Sequence, residues 1–366
     1  MEVGLVGLPS SGKTTLFNAL SRGSADVGPA AASARKPNLG VSKVQDARLA
    51  PLVEMFRPRR TVPAEVRYVD SPRAPEGLAR SQGIAGELLN LLQGSDALLH
   101  VVRAFSDPTV PHEEGEVDPH RDLAAMDLEL AFADLAILER RVERLETELK
   151  GARAGEREAR MRERNTLDRL KSELEQETPI REQELSEAER RLLANFGFLT
   201  AKPLLILWNI GEEDAARAPE IEAELRERYG RPGVEVVALC GKLEMELAEM
   251  DDEDAGELRD AMGLQEPALD RAVRASYALL GLVSFFTVGP DEVRAWTIDM
   301  HTPAVRAAGK IHSDIERGFI RAEVISYDHL IECGGLPEGR KRGLLRLEGK
   351  TYEVQDGDVV NFLFNT

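Results

Sequence analysis

The chain has 366 residues, a formal net charge of −18, 42% hydrophobic and 31% charged residues and two cysteines. That length exceeds what one hydrophobic core supports, so two or three domains are expected, and the composition excludes disordered, fibrous and membrane-spanning classes. The acidic balance excludes non-specific DNA binding, which rests on neutralising phosphates with Lys and Arg. Cys240 and Cys333 have no second Cys or His at ligand spacing, which argues against a disulfide framework or zinc site, and no leader or run of about 20 apolar residues is present, which predicts a cytoplasmic chain without a membrane partner.

Residues 3–6, 66–69 and 97–102 read as short apolar strands and 15–20 as a helix, the rhythm of a parallel sheet with crossover helices. From Leu128 the period changes: Leu128, Ala131, Leu135, Leu138, Val142, Leu145 and Leu149 recur at steps of three and four, a heptad seam. The Gly- and Ala-containing stretch 150–155 interrupts it, and Leu167, Leu170 and Leu174 resume the spacing, predicting an antiparallel helical hairpin. Strand-like runs at 203–208 and 234–239 return to the sheet. The tail is rich in β-branched and aromatic residues at 283–288, 293–298, 319–325, 351–354 and 359–364, which predicts a small mixed domain. The expected fold class is therefore α/β: a mostly parallel-sheet domain over 1–122 and 196–284, a coiled-coil insertion over 123–195 and a C-terminal domain over 285–366.

Gly7-Leu8-Pro9-Ser10-Ser11-Gly12-Lys13-Thr14 fits G-x-x-x-x-G-K-[ST] and stands between a predicted strand and a predicted helix, the context the motif requires. The glycines let backbone N–H groups turn toward the β-phosphate, and the following helix adds its positive dipole end. Gly7, Ser10, Ser11, Gly12, Lys13, Thr14 and Thr15 are accordingly expected to bind nucleotide, with Lys13 reaching the β- and γ-phosphates and the Thr14 hydroxyl a Mg²⁺ ion. Asp70, ending the run 65–69, is the expected second metal ligand, the alternative being a cap on the next turn.

After the strand at 203–208 comes Asn209-Ile210-Gly211-Glu212. Guanine-specific switches carry N-K-x-D at this corner; here Ile210 replaces the lysine that packs on the base and Glu212 the aspartate that accepts from guanine. Guanine reading is weakened, so Asn209, Glu212 and backbone groups near Ile210 are expected to serve ATP, with GTP the alternative.

The cradle, the N-x-x-E corner, the helical insertion and the tail occur in one order that resembles the YchF-type Obg-like ATPase family over essentially the whole chain. The tail segments Phe285-Phe286-Thr287, Glu292-Val293-Arg294-Ala295-Trp296-Thr297-Ile298, Gly318-Phe319-Ile320-Arg321-Ala322-Glu323-Val324 and Gln355-Asp356-Gly357-Asp358 are similar to its TGS domain, a ubiquitin-like β-grasp module. The resemblance implies a Mg²⁺-dependent ATP-hydrolysing switch that meets ribosomes or ribosomal RNA through the helical arm and TGS domain, with a regulatory part in translation or stress. It implies a hydrophobic residue after D-x-x-G, matched by Ala74, and a catalytic histidine before G-x-V-D-P, matched by His112 ahead of Gly115-Glu116-Val117-Asp118-Pro119. Read from its own neighbours, His112 is equally a surface-loop residue. Two positions depart from the family: Arg73 replaces the γ-phosphate-sensing glycine, and Ala34, next to Ser33, replaces the metal-binding threonine of the first switch. Those departures leave a nucleotide-binding scaffold without hydrolysis as the alternative function.

Overall fold

The computed structural model describes residues 1–21, 37–71, 84, 86–110, 112, 115–264 and 266–365, which form two compact units. The first comprises Met1–Val41 and Arg67–Ala275, the second Ser42–Val66 and Ser276–Thr366. The chain thus leaves the first unit after Val41 and re-enters it at Arg67, an excursion that apolar periodicity alone does not reveal.

The strands in chain order are β1 (Glu2–Val6), β2 (Asn38–Lys43), β3 (Arg60–Val62), β4 (Glu65–Asp70), β5 (Ala97–Ala104), β6 (Leu204–Ile210), β7 (Val234–Leu239), β8 (Leu282–Val288), β9 (Glu292–Asp299), β10 (Phe319–Ser326), β11 (Arg346–Glu348) and β12 (Asp358–Phe364). The first sheet runs β2-β4-β1-β5-β6-β7. Within it β1 pairs in parallel with β4 and β5, β5 with β6, and β6 with β7. Every residue of β6 is buried, as in a parallel sheet covered on both faces. From β1 the chain first builds toward β4 and β2 and then crosses to β5, so the loop after β1 lies at the topological switch point, where α/β sheets hold ligands.

The helices that matter here are α1 (Lys13–Ser21), α2 (Leu49–Phe56), α3 (Gly86–Gly94), α4 (Pro119–Gly151), α5 (Ala154–Glu175), α6 (Glu187–Leu193), α7 (Ala218–Tyr229) and α8 (Gly241–Glu249). Asp118 starts α4 by accepting from the His120 and Arg121 N–H groups, with Pro119 in the first turn. Two residues, Ala152 and Arg153, separate α4 from α5, giving the expected hairpin. Its core is Leu138, Leu145, Leu167, Leu170 and Leu174, closed by Ile180, Leu193 and Phe198. The seam starts later than its periodicity suggested, because Leu128 is 44% exposed. In that first part of α4 the buried positions are Leu123, Met126, Leu130 and Ala133, which pack on the sheet core instead. Asp134 fastens the root of the hairpin, accepting from the Leu199 N–H at 2.8 Å and from the Thr200 N–H and hydroxyl, each at 2.7 Å.

The second sheet runs β11-β10-β12-β8-β9-β3. Pairing is antiparallel for β8 with β9 and for β10 with β11 and β12, and parallel for β12 with β8 and β3 with β9. The helix Ala304–Ile311 lays Ala304, Ala307 and Ala308 on Phe285, Val324 and Val360, the helix-on-mixed-sheet packing of a ubiquitin-like β-grasp. Residues 351–354 are not the strand their composition suggests: the Tyr352 carbonyl accepts from Ala304 N–H and Val354 N–H donates to Thr302, so this backbone is spent on the helix entry rather than a ladder. The excursion brings β3 and α2 into the second unit, where Leu52 is fully buried. Arg48 holds it there, donating to Asp356 at 2.7 and 3.2 Å and to Asp46 at 2.8 and 2.9 Å while lying 5.1 Å from the Phe286 ring centre. Among the described residues no helix is long and apolar enough to cross a membrane.

Candidate nucleotide site

The loop from Gly7 to Thr14 connects β1 to α1. Gly7 has φ 150° and a β-carbon there would lie 2.4 Å from the Val101 carbonyl oxygen, so only glycine lets the loop leave β1 this close to β5. Ser10 is exposed with φ 60°, at the crest of the turn. Ser11 is buried and its hydroxyl has no hydrogen-bond partner among the described residues. Lys13 folds back over the loop, its ammonium donating to the carbonyls of Gly7 at 2.9 Å and Leu8 at 2.8 Å. Thr15 is half-buried in the first turn of α1.

Asp70 ends β4 beside the cradle and is fully buried. Its Oδ2 accepts from the Thr14 hydroxyl at 3.2 Å, while Oδ1 has no hydrogen-bond partner among the described residues. Burial raises its pKa above the ordinary carboxylate range, opposed by the Lys13 charge and by hydrogen bonds from Thr14 and Asn38. A buried carboxylate with an oxygen to spare, next to a threonine hydroxyl, is a donor set for a hard, oxygen-binding cation. Among the described residues no group of three or more His, Cys, Asp or Glu is placed to hold a metal ion. The pair Thr14 and Asp70 therefore fits Mg²⁺, which takes one or two protein oxygens and leaves its other positions to water and phosphate, better than an ion needing an all-protein cage.

Asn209 is buried at the end of β6 and its side chain is doubly engaged: Nδ2 donates to the Ser11 carbonyl and Oδ1 accepts from the Gly241 N–H, both at 2.9 Å. It thus ties the cradle to the turn between β7 and α8. The Ile210 side chain is 3% exposed and packs in the sheet core, so only its backbone is available to a base. Glu212 is exposed at the start of the short 3₁₀ helix Glu212–Arg217.

His112 is not a surface-loop residue. Its side chain is 6% exposed, and Nε2 lies 2.7 Å from Oδ2 of Asp122. His112 and Asp122 line a small cleft with Leu8, Pro9 and Ser11 of the cradle and with His100 and Arg103 of β5. His100 is fully enclosed and its pKa is pushed down to about 3, chiefly by burial and then by the charges of Lys13 and Arg181, so it stays neutral and does not titrate near pH 7. Asp122 and Arg103 were not singled out by motif or spacing; the one signal was the Asp118-Pro119 helix start, which puts Asp122 in the first turn of α4. Ser33, Ala34, Arg73 and Ala74 lie outside the described residues.

Residues 2–136 match the family model described as 50S ribosome-binding GTPase, and residues 282–365 match the C-terminal YchF-GTPase model, described as a protein of unknown function. The chain is 40% identical to the ribosome-binding ATPase YchF of Bacillus subtilis (strain 168), across 100% of this chain and 99% of that protein. It is 39% identical to the protein of the same name from Escherichia coli O157:H7, again across 100% and 99%. Its structure is similar to that of the YchF GTPase of Schizosaccharomyces pombe, with a TM-score of 0.86 and 30% identity over 99% of this chain and 97% of the other.

Proposed function

The chain belongs to the YchF family, and on that footing we propose that it is a Mg²⁺-dependent ATPase whose turnover sets the state of a ribosome-associated switch. The observation that carries the chemical part of this reading is the convergence of Lys13, Thr14 and the spare oxygen of Asp70 on the mouth of one backbone cradle. Hydrolysis of a phosphoanhydride needs little covalent chemistry from a protein; it needs positioning and charge stabilisation.

The loop N–H groups and the Lys13 ammonium hold the β- and γ-phosphates. Water attacks the γ-phosphorus, the bond to the bridging oxygen breaks, and ADP leaves with that electron pair. His112 orients the water and receives its proton, which passes to the phosphate product. Thr14 and Asp70 are the residues to hold Mg²⁺, which when bound neutralises charge on the phosphate oxygens. Asn209 keeps the cradle in register with the base corner. With Ile210 turned into the core, its side chain does not replace the lysine stem that covers guanine, which favours ATP over GTP. Association with the ribosome is carried over from the names of the relatives, and we take the hairpin and the β-grasp unit as the surfaces that serve it.

Calorimetric titration of ATP and GTP with Mg²⁺, with phosphate release followed in the same samples and in Lys13→Ala, tests the reading. Tighter ATP than GTP binding with release that depends on Lys13 supports it. Binding of ATP without release makes the chain a nucleotide sensor, and tighter GTP binding makes it a GTPase. Co-sedimentation with ribosomes in the presence of each nucleotide tests the partner.

A further inference from the structure

The loop between β5 and α4 is anchored by side chains buried in the first unit. Arg103, 3% exposed, donates through Nε to the Phe105 carbonyl at 3.3 Å and through Nη2 to the Val110 carbonyl at 2.7 Å. Two residues beyond Val110, His112 turns inward and meets Asp122 at 2.7 Å. The other oxygen of Asp122 accepts from Nε and Nη2 of Arg121, at 3.1 and 2.9 Å.

A carboxylate in the first turn of a helix is ordinarily explained by the dipole alone. That account does not cover Asp122. Asp118 already caps the exposed N–H groups of His120 and Arg121, and an acidic residue serving the dipole does so from the surface, whereas the Asp122 side chain is 5% exposed. Burying a carboxylate is costly unless it is paired, and Asp122 divides its two oxygens between the guanidinium of Arg121 and the imidazole of His112, the latter as buried as itself.

We propose that Asp122 is the positioning residue for His112: its carboxylate accepts a hydrogen bond from Nε2–H and thereby fixes the ring's orientation and tautomer against the cradle. In the neutral ring Nδ1 is then the acceptor nitrogen, and a water-orienting group needs an acceptor. A carboxylate behind a catalytic imidazole acts through the ring it holds, and amide replacement spoils the tautomer while leaving the geometry in place. The proposal rests on the reading of His112 as the group that orients the attacking water. It adds that this group is set from the first turn of α4, the helix that also forms one arm of the hairpin.

The test uses the full chain. Imidazole ¹⁵N spectra of the histidine-labelled protein, assigned by comparison with His112→Ala, should place His112 in the Nε2–H tautomer. Asp122→Asn should lower kcat by about 10-fold or more, the low end being the loss seen for partners that orient a metal-ligating imidazole and the high end, about 10⁴-fold, that for a catalytic one, with nucleotide Kd within twofold of the parent. Asp122→Glu should recover part of the loss, and Asp122→Asn on top of His112→Ala should cost nothing further, because residues acting as one unit are not additive. An Nδ1–H tautomer in the parent protein overturns the proposal whether or not the variants fold. So does an Asp122→Asn kcat within twofold of the parent when His112→Ala is strongly impaired. Parent-like turnover in His112→Ala is a different result: it removes the catalytic reading of His112 itself.

Discussion

A β-carbon added to Gly12 would lie 2.3 Å from Nδ2 of Asn209, so the cradle glycine and the base-corner asparagine are packed to contact. Gly12, with φ 94°, is also in a backbone region that side chains disfavour. Gly12→Ala is expected to push Asn209 off both of its partners and to reduce ATP binding below calorimetric detection. Asn209→Ala removes the same clamp without disturbing the loop directly, leaving the Ser11 carbonyl and the Gly241 N–H unpaired in a buried setting. The expected cost is about 2–4 kcal/mol in denaturant unfolding, with weaker binding of ATP and GTP alike. Loss of only one nucleotide would instead give Asn209 a direct part in reading the base.

Asp70 sets function against stability. Its pKa is raised by burial, so the folded state binds a proton more readily than the unfolded state, and ionisation of this group lowers stability as pH rises through its folded pKa. Without nucleotide at pH 7.5, Asp70→Asn is therefore expected to melt at a higher temperature than the parent, since the amide can still accept from Thr14. The same variant should bind Mg²⁺–ATP roughly 10- to 100-fold more weakly. Thermal melts with and without Mg²⁺–ATP check both signs; a lower melting temperature in the absence of ligand contradicts the expectation.

Asp134 provides a pH dependence at the root of the hairpin. Burial outweighs its three hydrogen bonds and pushes its pKa up to about 6. The stability it confers is thus fully present below the unfolded carboxylate value near 4 and is lost as pH rises through about 6. A shift of that size corresponds to roughly 2–3 kcal/mol across the window. Asp134→Asn does not titrate, so its stability relative to the parent should improve as pH rises from about 4.5 to about 6 and level off by pH 7.5 in denaturant titrations. A constant difference across that range would mean the carboxyl stays ionised throughout.

Leu170 is fully enclosed in the hairpin core, away from the cradle. Leu170→Ala should destabilise the hairpin by about 2–5 kcal/mol, seen as faster amide exchange in α5, while phosphate release in the isolated protein stays within twofold of the parent. A matching loss of turnover would show that a firm hairpin is required for chemistry.

The cradle was legible because G-x-x-x-x-G-K-[ST] fixes backbone conformation as well as residue type, and the hairpin because a seam spaced at three and four has few other solutions. What escaped was whatever depends on a partner far along the chain. His112 was visible as a motif position, but Asp122 behind it is an acidic residue like many others until Asp118 starts the helix and turns its first turn inward. Asn209 was read for its chemistry toward a base, whereas the structure occupies both ends of its side chain with backbone from Ser11 and Gly241. The excursion of Ser42–Val66 was hidden because strand patterning says that a segment joins a sheet and not which sheet. Leu128 misled because helical periodicity continues smoothly while the burying surface beneath α4 changes from sheet to hairpin.

That excursion means the second unit is not continuous in the chain. The β-grasp unit is written in two separate passages of the sequence, one lying between β1 and Asp70 and the other at the C-terminus. A truncation after Ala275 would remove only the second passage, uncover Leu52, strip β3 of its neighbour β9 and leave Arg48 without Asp356 and Phe286, so the remainder should aggregate rather than behave as a freestanding nucleotide domain. No single cut in the chain therefore separates the residues of the cradle's unit from those of the β-grasp unit.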